Sequence, residues 1–462
     1  MISRHVFAFS AAILVCSASF AAGFALYEGS ARGNAMGGAV MGRAADASAN
    51  FYNPATLTDL TGTVFTVGMT TEHPTCDTYV DGRSSYKMNP GCFVLPHAYL
   101  AQALPYDFSL GLGFAPEYGL GTHYKQNWPL AWETRSTTIE GLVLNPNLAY
   151  KVTDDWSVSA GFRLLYASFE QYSDQMAASG GTRYGTVRDH LKADNSFNDW
   201  GWQISSKYDI TEKLSAGVMY RSYIDTKVKG YNHTRVRSYD DSAIGPQVAK
   251  GVRAALAQAG VPEGTPIYDQ YYRRAYGPAY SRAVAQAHNQ VDEGASSADG
   301  DASAEMRLPQ SLTMGLNYDA TEKLHLGVAG VWTQWSSVDH ILFELPGEND
   351  RDLLLKWNDA WRIGFGAAYD LTDELTFMIS YVYDQDPCSK YHGTTILPPG
   401  DRHIGTVGLG YAWGDIDFVV SYGLVFMGGD SLDITDGTGT RHRFDTSNGL
   451  SHAVACSMTY HF

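Results

Sequence analysis

Cations, cysteines and long apolar runs are all scarce in this chain. Of its 462 residues, 33 are Lys or Arg and 49 are Asp or Glu, giving a net charge of −16. That balance argues against nucleic acid as a partner, because phosphate binding needs clustered Lys and Arg. Five cysteines are too few for a miniature fold built on disulfides. Beyond the first twenty residues there is no apolar run of about 18 residues, which excludes ordinary transmembrane helices. The motifs Gly-x-Ser-x-Gly, His-Glu-x-x-His and Cys-x-x-Cys are missing, so no catalytic residue, metal site or cofactor is expected. What the chain has in quantity is glycine, 47 residues, and tyrosine, 30 residues. Such a chain is either a soluble β protein or a β-barrel in a membrane.

The N-terminus points to export. Arg4 gives a positive start, Val6 to Val15 is an apolar core, and Ser19-Phe20-Ala21 is a small-x-small cleavage site. Residues 1–21 therefore read as a signal peptide, with the mature chain starting at Ala22. Cys16 would suit a lipoprotein signal, but Val15 stands where that signal wants a small residue.

A turn repeats along the chain. Tyr150 to Trp156 (YKVTDDW) is echoed at Tyr208 to Leu214 (YDITEKL), Tyr318 to Leu324 (YDATEKL) and Tyr369 to Leu375 (YDLTDEL). Each copy is followed by alternation of period two, as in Leu214, Ala216, Val218 and Tyr220. Looser equivalents occur at Leu104 to Asp107 and Ala412 to Asp415. A short polar turn between alternating segments is a hairpin. Six such turns flank twelve strands, and one more strand at each end makes fourteen. The sequence thus predicts an all-β fold, a 14-stranded antiparallel transmembrane barrel, with short turns on one side and long loops on the other. Tyr150, Tyr208, Tyr318, Tyr369, Tyr411, Trp413 and Tyr460 would form an aromatic ring at the membrane boundary. The final strand carries Val454, Cys456, Met458, Tyr460 and Phe462 on one face, and the chain stops on an aromatic residue. That ending resembles the signal by which the barrel-assembly machinery recognises outer-membrane proteins. The expected location is the outer membrane of a Gram-negative bacterium, among its lipids, as a monomer.

The predicted barrel spans 62–462. Strand one ends near 71, a polar loop covers about 173–197, and a long outer loop covers about 231–302. Within that loop, Gln247 to Gln258 and Ser281 to Val291 look helical. A loop of that length is usually functional. Cys76 and Cys92 lie 16 residues apart in the first outer loop. In an oxidising compartment a disulfide is expected, worth on the order of 3 kcal/mol. Residues 22–61 show no clean alternation and are rich in Gly and Ala, with enough apolar residues (Phe24, Leu26, Met36, Val40, Met41) to pack.

Here a family pattern emerges. Ala22-Gly23-Phe24-x-Leu26-x-Glu28, a Gly/Ala-rich stretch and then Asn53-Pro54-Ala55 resemble the hatch of the outer-membrane long-chain fatty-acid transporters, the FadL family. That family also contains aromatic-hydrocarbon channels. The likeness continues in order through Pro96-His97, Tyr118-Gly119-Leu120, Tyr220-Arg221-Ser222, Leu308-Pro309, Thr333 to Ser336, Asp359 to Arg362 and Asp401-Arg402. The resemblance implies fourteen strands, a hatch plugging the lumen, and uptake of hydrophobic small molecules, most simply fatty acids. It also implies a kink in the third strand that opens the wall sideways. Gly111, Gly113, Pro116, Gly119 and Gly121 are the candidates for that lateral opening, since Pro and Gly weaken a sheet ladder. A fatty acid needs an apolar cavity and a few placed cations. Alternation turns Arg402, Arg362, Arg163 and Arg221 inward, and Arg307 with them if Pro309 does not break the count. By the resemblance Arg402 is favoured as the head-group cation; any of these arginines could instead pair with lumen carboxylates. Asp401 should point away from Arg402. An aromatic-hydrocarbon channel, an outer-membrane lipase with a Ser/His pair assembled across strands, a general porin and an adhesion barrel are the alternatives.

Overall fold

The computed structural model describes residues 23–462 except 89, 90, 126, 180, 181, 268, 348, 349, 437 and 438. The export signal read in residues 1–21 lies outside the described residues. Fourteen antiparallel strands close on themselves. They are β1 Thr63–Val80, β2 Phe93–Ala103, β3 Phe108–His123, β4 Ser136–Lys151, β5 Trp156–Ser179, β6 Asp199–Thr211 and β7 Leu214–Arg221, followed by β8 Ser311–Asp319, β9 Leu324–Thr333, β10 Ala360–Asp370, β11 Leu375–Asp384, β12 Arg402–Trp413, β13 Ile416–Met427 and β14 Arg441–His461. Each pairs with its sequence neighbour, and β14 pairs with β1 from Val64↔His461 to Val80↔Phe444. Closure matters because an open edge in hydrocarbon would leave backbone groups unsatisfied.

The repeated turn has a local cause. The Thr211 hydroxyl accepts from the amides of Lys213 and Leu214; Thr321 and Thr372 do the same for the second and third residues after them. A threonine three residues before an apolar strand start closes the turn with its own side chain. The aromatic residues ahead of these turns face outward: Tyr150, Tyr208, Tyr318, Tyr369, Tyr411 and Trp413 are all exposed large side chains.

On the outer side several strands run further than alternation suggested. β1 continues to Val80, and β5 continues into a hairpin with Thr182–Asp194 where a polar loop was expected. The long insertion begins as a strand, Ile224–Tyr239, and then forms two helices, α1 Asp241–Gln258 and α2 Gln270–Ser297. They pack on each other through Val248, Val252, Leu256, Ala279, Ala283 and Ala287.

The expected disulfide is not formed. Cys76 lies within β1 at the inward parity of Thr66, Thr70 and Thr78, is buried, and packs with Met88 and Met427. Cys92 is exposed in the loop before β2. Spacing in sequence says nothing of direction, and a bridge needs both Cβ atoms to face each other. Without reductant, Cys92 in the folded barrel should alkylate at once and Cys76 only after unfolding. Mass spectrometry of the alkylated peptides checks this, and a Cys76–Cys92 bridged peptide would refute it.

The segment 24–60 lies inside the barrel. Short helices at Ala31–Ala35 and Ala49–Tyr52 and a 3-10 turn at Pro54–Asp59 carry nearly every side chain into buried positions. Its backbone from Met36 to Met41 rests directly on lumen glycines: a Cβ at Gly217, Gly327, Gly364 or Gly366 would overlap its atoms. Asn53 caps the Pro54 turn by accepting from the Ala55 amide, and donates to the Met41 carbonyl (2.6 Å) and the Ser206 carbonyl (3.2 Å). The Ala55 amide also donates to Ser205 Oγ at 3.0 Å. The Asn-Pro-Ala motif is therefore a weld between this inner segment and β6.

Candidate functional site: the charged and aromatic lumen

Inward parity brings the sequence-predicted arginines into two groups. The first surrounds Glu117. Residues 111, 113, 115 and 117 alternate inward along β3, and a bulge between Pro116 and Tyr118 then turns Tyr118 inward too. Glu117 Oε2 accepts from Arg163 Nε (3.0 Å) and Nη2, and lies 3.7 Å from Arg221 Nη1. Arg163 also donates to the Ser222 carbonyl and the Tyr118 hydroxyl, each at 3.0 Å. Arg221 donates to the Phe51 carbonyl and lies over the Phe51 ring at 4.8 Å. Arg163 is thus taken up by the protein itself, while Arg221 keeps its buried Nε without a hydrogen-bond partner among the described residues.

The second group is a row. Arg362 on β10, Asp384 on β11 and Arg402 on β12 are direct cross-strand neighbours. Asp384 Oδ2 lies 3.4 Å from Arg362 Nη1 and 3.8 Å from Arg402 Nη1. Arg362 also lies over the Tyr27 ring at 4.7 Å, and Tyr27 shares a hydrogen bond with Thr333. Arg402 is fully buried, and none of its three guanidinium nitrogens has a hydrogen-bond partner among the described residues. On its other side it is in register with Met427, which packs with Cys76 and Met88. Two cations thus flank one carboxylate. Asp401 does point away: it accepts from the Tyr383 hydroxyl (2.7 Å) and the Asp386 amide (2.9 Å).

Arg307 does not belong here. It is exposed on the outer wall, pairs with Asp225 at 2.6 Å and covers Tyr223. The wall is interrupted at Ser222-Tyr223 and again at Pro309-Gln310, between Gly300–Leu308 and β8. Parity counted through Pro309 therefore fails.

The lumen also carries an apolar aromatic cluster. Phe24 packs edge-on against Trp335 (4.8 Å between centroids) and near Trp357 (5.7 Å), in a buried cluster with Leu120, Val143, Phe169 and Ile224. A small cavity of about 30 Å³, bordered by Tyr27, Phe51, Tyr52 and Met219, touches both Arg221 and Arg362.

The third strand has a break on one side. β2 and β3 pair only from Ala98↔Phe114 to Ala103↔Ser109. Above Phe114, β3 continues to His123 bonded to β4 alone among the barrel strands. The free edge is met by the N-terminal segment: the Leu26 amide donates to the Glu117 carbonyl and the Gly119 amide to the Phe24 carbonyl, both at 2.8 Å. Pro116, Gly119 and Gly121 lie along this stretch. Gly111 and Gly113 do not; they sit in the fully paired part, where an added Cβ would strike Asn50 of the inner segment. They are close-approach glycines rather than parts of the break. Glu117, Asp384 and the Phe24–Trp335–Trp357 cluster escaped the sequence reading, although the first two follow from strand parity.

The closed fourteen-strand wall, the threaded N-terminus and the interrupted third strand coincide with a match to the outer membrane protein transport protein family (OMPP1/FadL/TodX) over residues 12–462. The chain belongs to that family. It is 24% identical over 485 residues to a long-chain fatty acid transport protein of Escherichia coli O6:H1, covering 98% of this chain and 97% of the relative. Outer membrane protein P1 of Haemophilus influenzae is 24% identical over 337 residues, 72% of this chain and 65% of the relative. Among solved structures, a Pseudomonas aeruginosa FadL homologue superposes with a TM-score of 0.74 at 19% identity, covering 95% of this chain and 99% of the other. The Pseudomonas putida toluene transporter TodX superposes at 0.65 with 16% identity, covering 96% and 99%. As a family member the chain is an outer-membrane protein.

Proposed function

We propose that the chain is an uptake channel for hydrophobic compounds, with long-chain fatty acids the favoured substrate. The ligand binds in the lumen and leaves through the wall between β2 and β3. The observation that carries the proposal is the missing β2–β3 ladder above Phe114, met there by residues 24–26 of the inner segment. A greasy molecule has a physical reason to leave there, because it then never enters periplasmic water. Arg402 favours an acid, since it is buried with none of its guanidinium nitrogens at a hydrogen-bond acceptor among the described residues, whereas Asp384 and Glu28 both act on Arg362. The aromatic cluster around Phe24 supports the second reading, an aromatic hydrocarbon. In either case the chain is a channel with no catalytic role. The direct test is uptake of a labelled long-chain acid into vesicles bearing the folded barrel; uptake no faster than in protein-free vesicles would defeat the proposal.

Residues 22–61 are the hatch in this reading. Replacing Asn53-Pro54-Ala55 with Gly-Ser-Gly removes the turn cap and the Asn53 bonds to Met41 and Ser206. The barrel should still fold, and single-channel ion conductance should rise severalfold. Conductance equal to the parent's would mean that the weld does not hold the plug.

A further inference from the structure

The helical pair of the long insertion carries a charge opposite in sign to that of the rest of the chain. Residues 245–290 hold five cations, Lys250, Arg253, Arg273, Arg274 and Arg282, against two anions, Glu263 and Asp269, in a protein of net charge −16. All five cations are exposed. Of the two anions, Asp269 is engaged as the cap of α2, where its carboxylate accepts from the Tyr272 amide at 3.2 Å. We propose that one flank of this pair, formed by Lys250, Arg253, Arg273, Tyr276 and Tyr280, binds the phosphorylated oligosaccharide of lipopolysaccharide and so holds the insertion in the saccharide layer of the outer leaflet. The proposal is independent of the uptake route.

The aromatic part of the flank follows from helix spacing. Residues four apart lie one above the other on a helix, and α2 has Tyr272, Tyr276 and Tyr280 at that interval. Their rings are nearly parallel, 20° between neighbouring planes, with centroids 5.5 and 6.1 Å apart. Tyr272 packs against the seam between the helices. Each step of four residues turns about 40° around the helix, so the row climbs out of the seam, and Tyr276 and Tyr280 are 40% and 48% exposed. The same row ends on His288, which stacks on Tyr239 at 3.7 Å and ties α2 to the strand Ile224–Tyr239. Arg273 lies beside the row, three residues before Tyr276. On the facing helix Gly251 meets Ala283, where an added Cβ would fall 2.9 Å from that of the alanine. With that register, helical spacing turns Arg253 and Lys250 to the same flank. Three cations thus border two exposed rings.

That combination suits a sugar chain bearing a few anionic groups. A sugar ring has a face of C–H groups that packs on an aromatic ring, and a Tyr hydroxyl both donates to and accepts from sugar hydroxyls. A guanidinium meets two phosphate oxygens at once with its fork of donors. The source of the saccharide follows from position. The insertion joins β7 to β8 on the side opposite the short turns, which is the outer side, where saccharide anchored in the outer leaflet surrounds it. A densely charged polymer such as a nucleic acid fits less well, because the rest of a chain of net charge −16 repels it. An oligosaccharide with few phosphates needs only the local excess of cations. An apolar partner surface fits less well still, because burying the two rings would also bury the cations beside them.

The experiment measures equilibrium binding of lipopolysaccharide core oligosaccharide, freed of its acyl chains and still phosphorylated, to the intact barrel in phospholipid nanodiscs, with empty nanodiscs subtracted. The same oligosaccharide stripped of phosphate and a single-stranded DNA oligonucleotide are the comparison probes. Folding of each variant is checked by heat-modifiable migration on gels and helix content by circular dichroism. The parent is expected to bind the phosphorylated saccharide, and the stripped one about tenfold more weakly. Arg253→Gln with Arg273→Gln should weaken the phosphorylated saccharide about tenfold and bring the two saccharides level. Tyr276→Ala with Tyr280→Ala should weaken both saccharides several-fold, since alanine keeps the helix and removes only the rings. Arg274→Gln, on the opposite face of α2, should change neither. No specific binding of the phosphorylated saccharide by the parent overturns the proposal. So does binding that survives both double variants, and so does a loss with Arg274→Gln as large as that with the paired arginine change, which would reduce the effect to net charge. DNA bound as tightly as the phosphorylated saccharide, and lost in the same variants, would make the flank a general polyanion site and overturn the saccharide assignment.

Discussion

Glu117→Leu is expected to destabilise the folded barrel by about 3–5 kcal/mol, the range for removing one partner of a buried ion pair. The Glu117 and Arg163 side chains are 3% and 1% exposed, and Arg221 is 9% exposed. Removing the carboxylate leaves two guanidinium groups facing each other in a dry lumen. Arg163 keeps the Ser222 carbonyl and the Tyr118 hydroxyl, and Arg221 keeps the Phe51 carbonyl. Those dipoles orient the cations but cannot neutralise them. Adding Arg163→Met to Glu117→Leu removes one stranded charge, so it should recover a good part of the loss. Urea unfolding of the refolded barrel in vesicles, followed by tryptophan fluorescence, gives both values. A loss under about 1 kcal/mol for the single change would place the site with solvent-screened surface pairs, in conflict with the burial. The Glu117 carbonyl that accepts from the Leu26 amide belongs to the backbone and is kept in the variant, so the loss reports on the ion pair rather than on the break.

The strand count was legible because its cause is local. The turns at Thr211, Thr321 and Thr372 are built from a side chain and amides two and three residues on, so there the motif and the geometry are one fact. Parity read the lumen face well wherever a strand ran unbroken: Arg163, Arg221, Arg362 and Arg402 all point inward. It failed at Arg307, where two interruptions of the wall lie between the countable segments. It failed at Cys76 for a different reason. β1 was expected to end near residue 71, and a residue assigned to a loop has no parity. Extended to Val80, the same alternation buries Cys76 with Thr70 and Thr78. Glu117 and Asp384 were legible and unread. Both stand at inward parity beside the arginines, but a search for cations meeting a ligand does not ask which anions those cations already have. The break beside β3 was only half legible. Pro116 marks the place, yet the loss of pairing to β2 depends on where β2 begins and how the N-terminus returns, which are tertiary facts.

The other large effect concerns Arg402. Arg402→Met should weaken binding of a long-chain fatty acid by about 1.5–3 kcal/mol, the range for hydrogen bonds to charged groups, while leaving the matched alcohol nearly unchanged. The basis is an imbalance in the β10–β12 row. Asp384 is nearer to Arg362 than to Arg402, at 3.4 against 3.8 Å. Arg402, fully buried, directs no nitrogen at a hydrogen-bond acceptor among the described residues. A guanidinium presents five donors in a planar fork that fits a carboxylate on two oxygens. Methionine keeps most of the side-chain volume against Met427 and removes the charge, so a lost packing contact is not mistaken for a lost ligand contact. Arg362→Met is the companion variant. It strips Asp384 of its nearer cation, and Arg402 should then turn to Asp384, so acid binding should fall here too, with a larger loss of stability. Titrations of acid and alcohol on the parent and both variants separate the roles. Equal losses for acid and alcohol with Arg402→Met would mean that Arg402 shapes the lumen rather than reading the carboxylate. No loss for either would move the head-group site towards Arg221, which borders the same small cavity as Arg362.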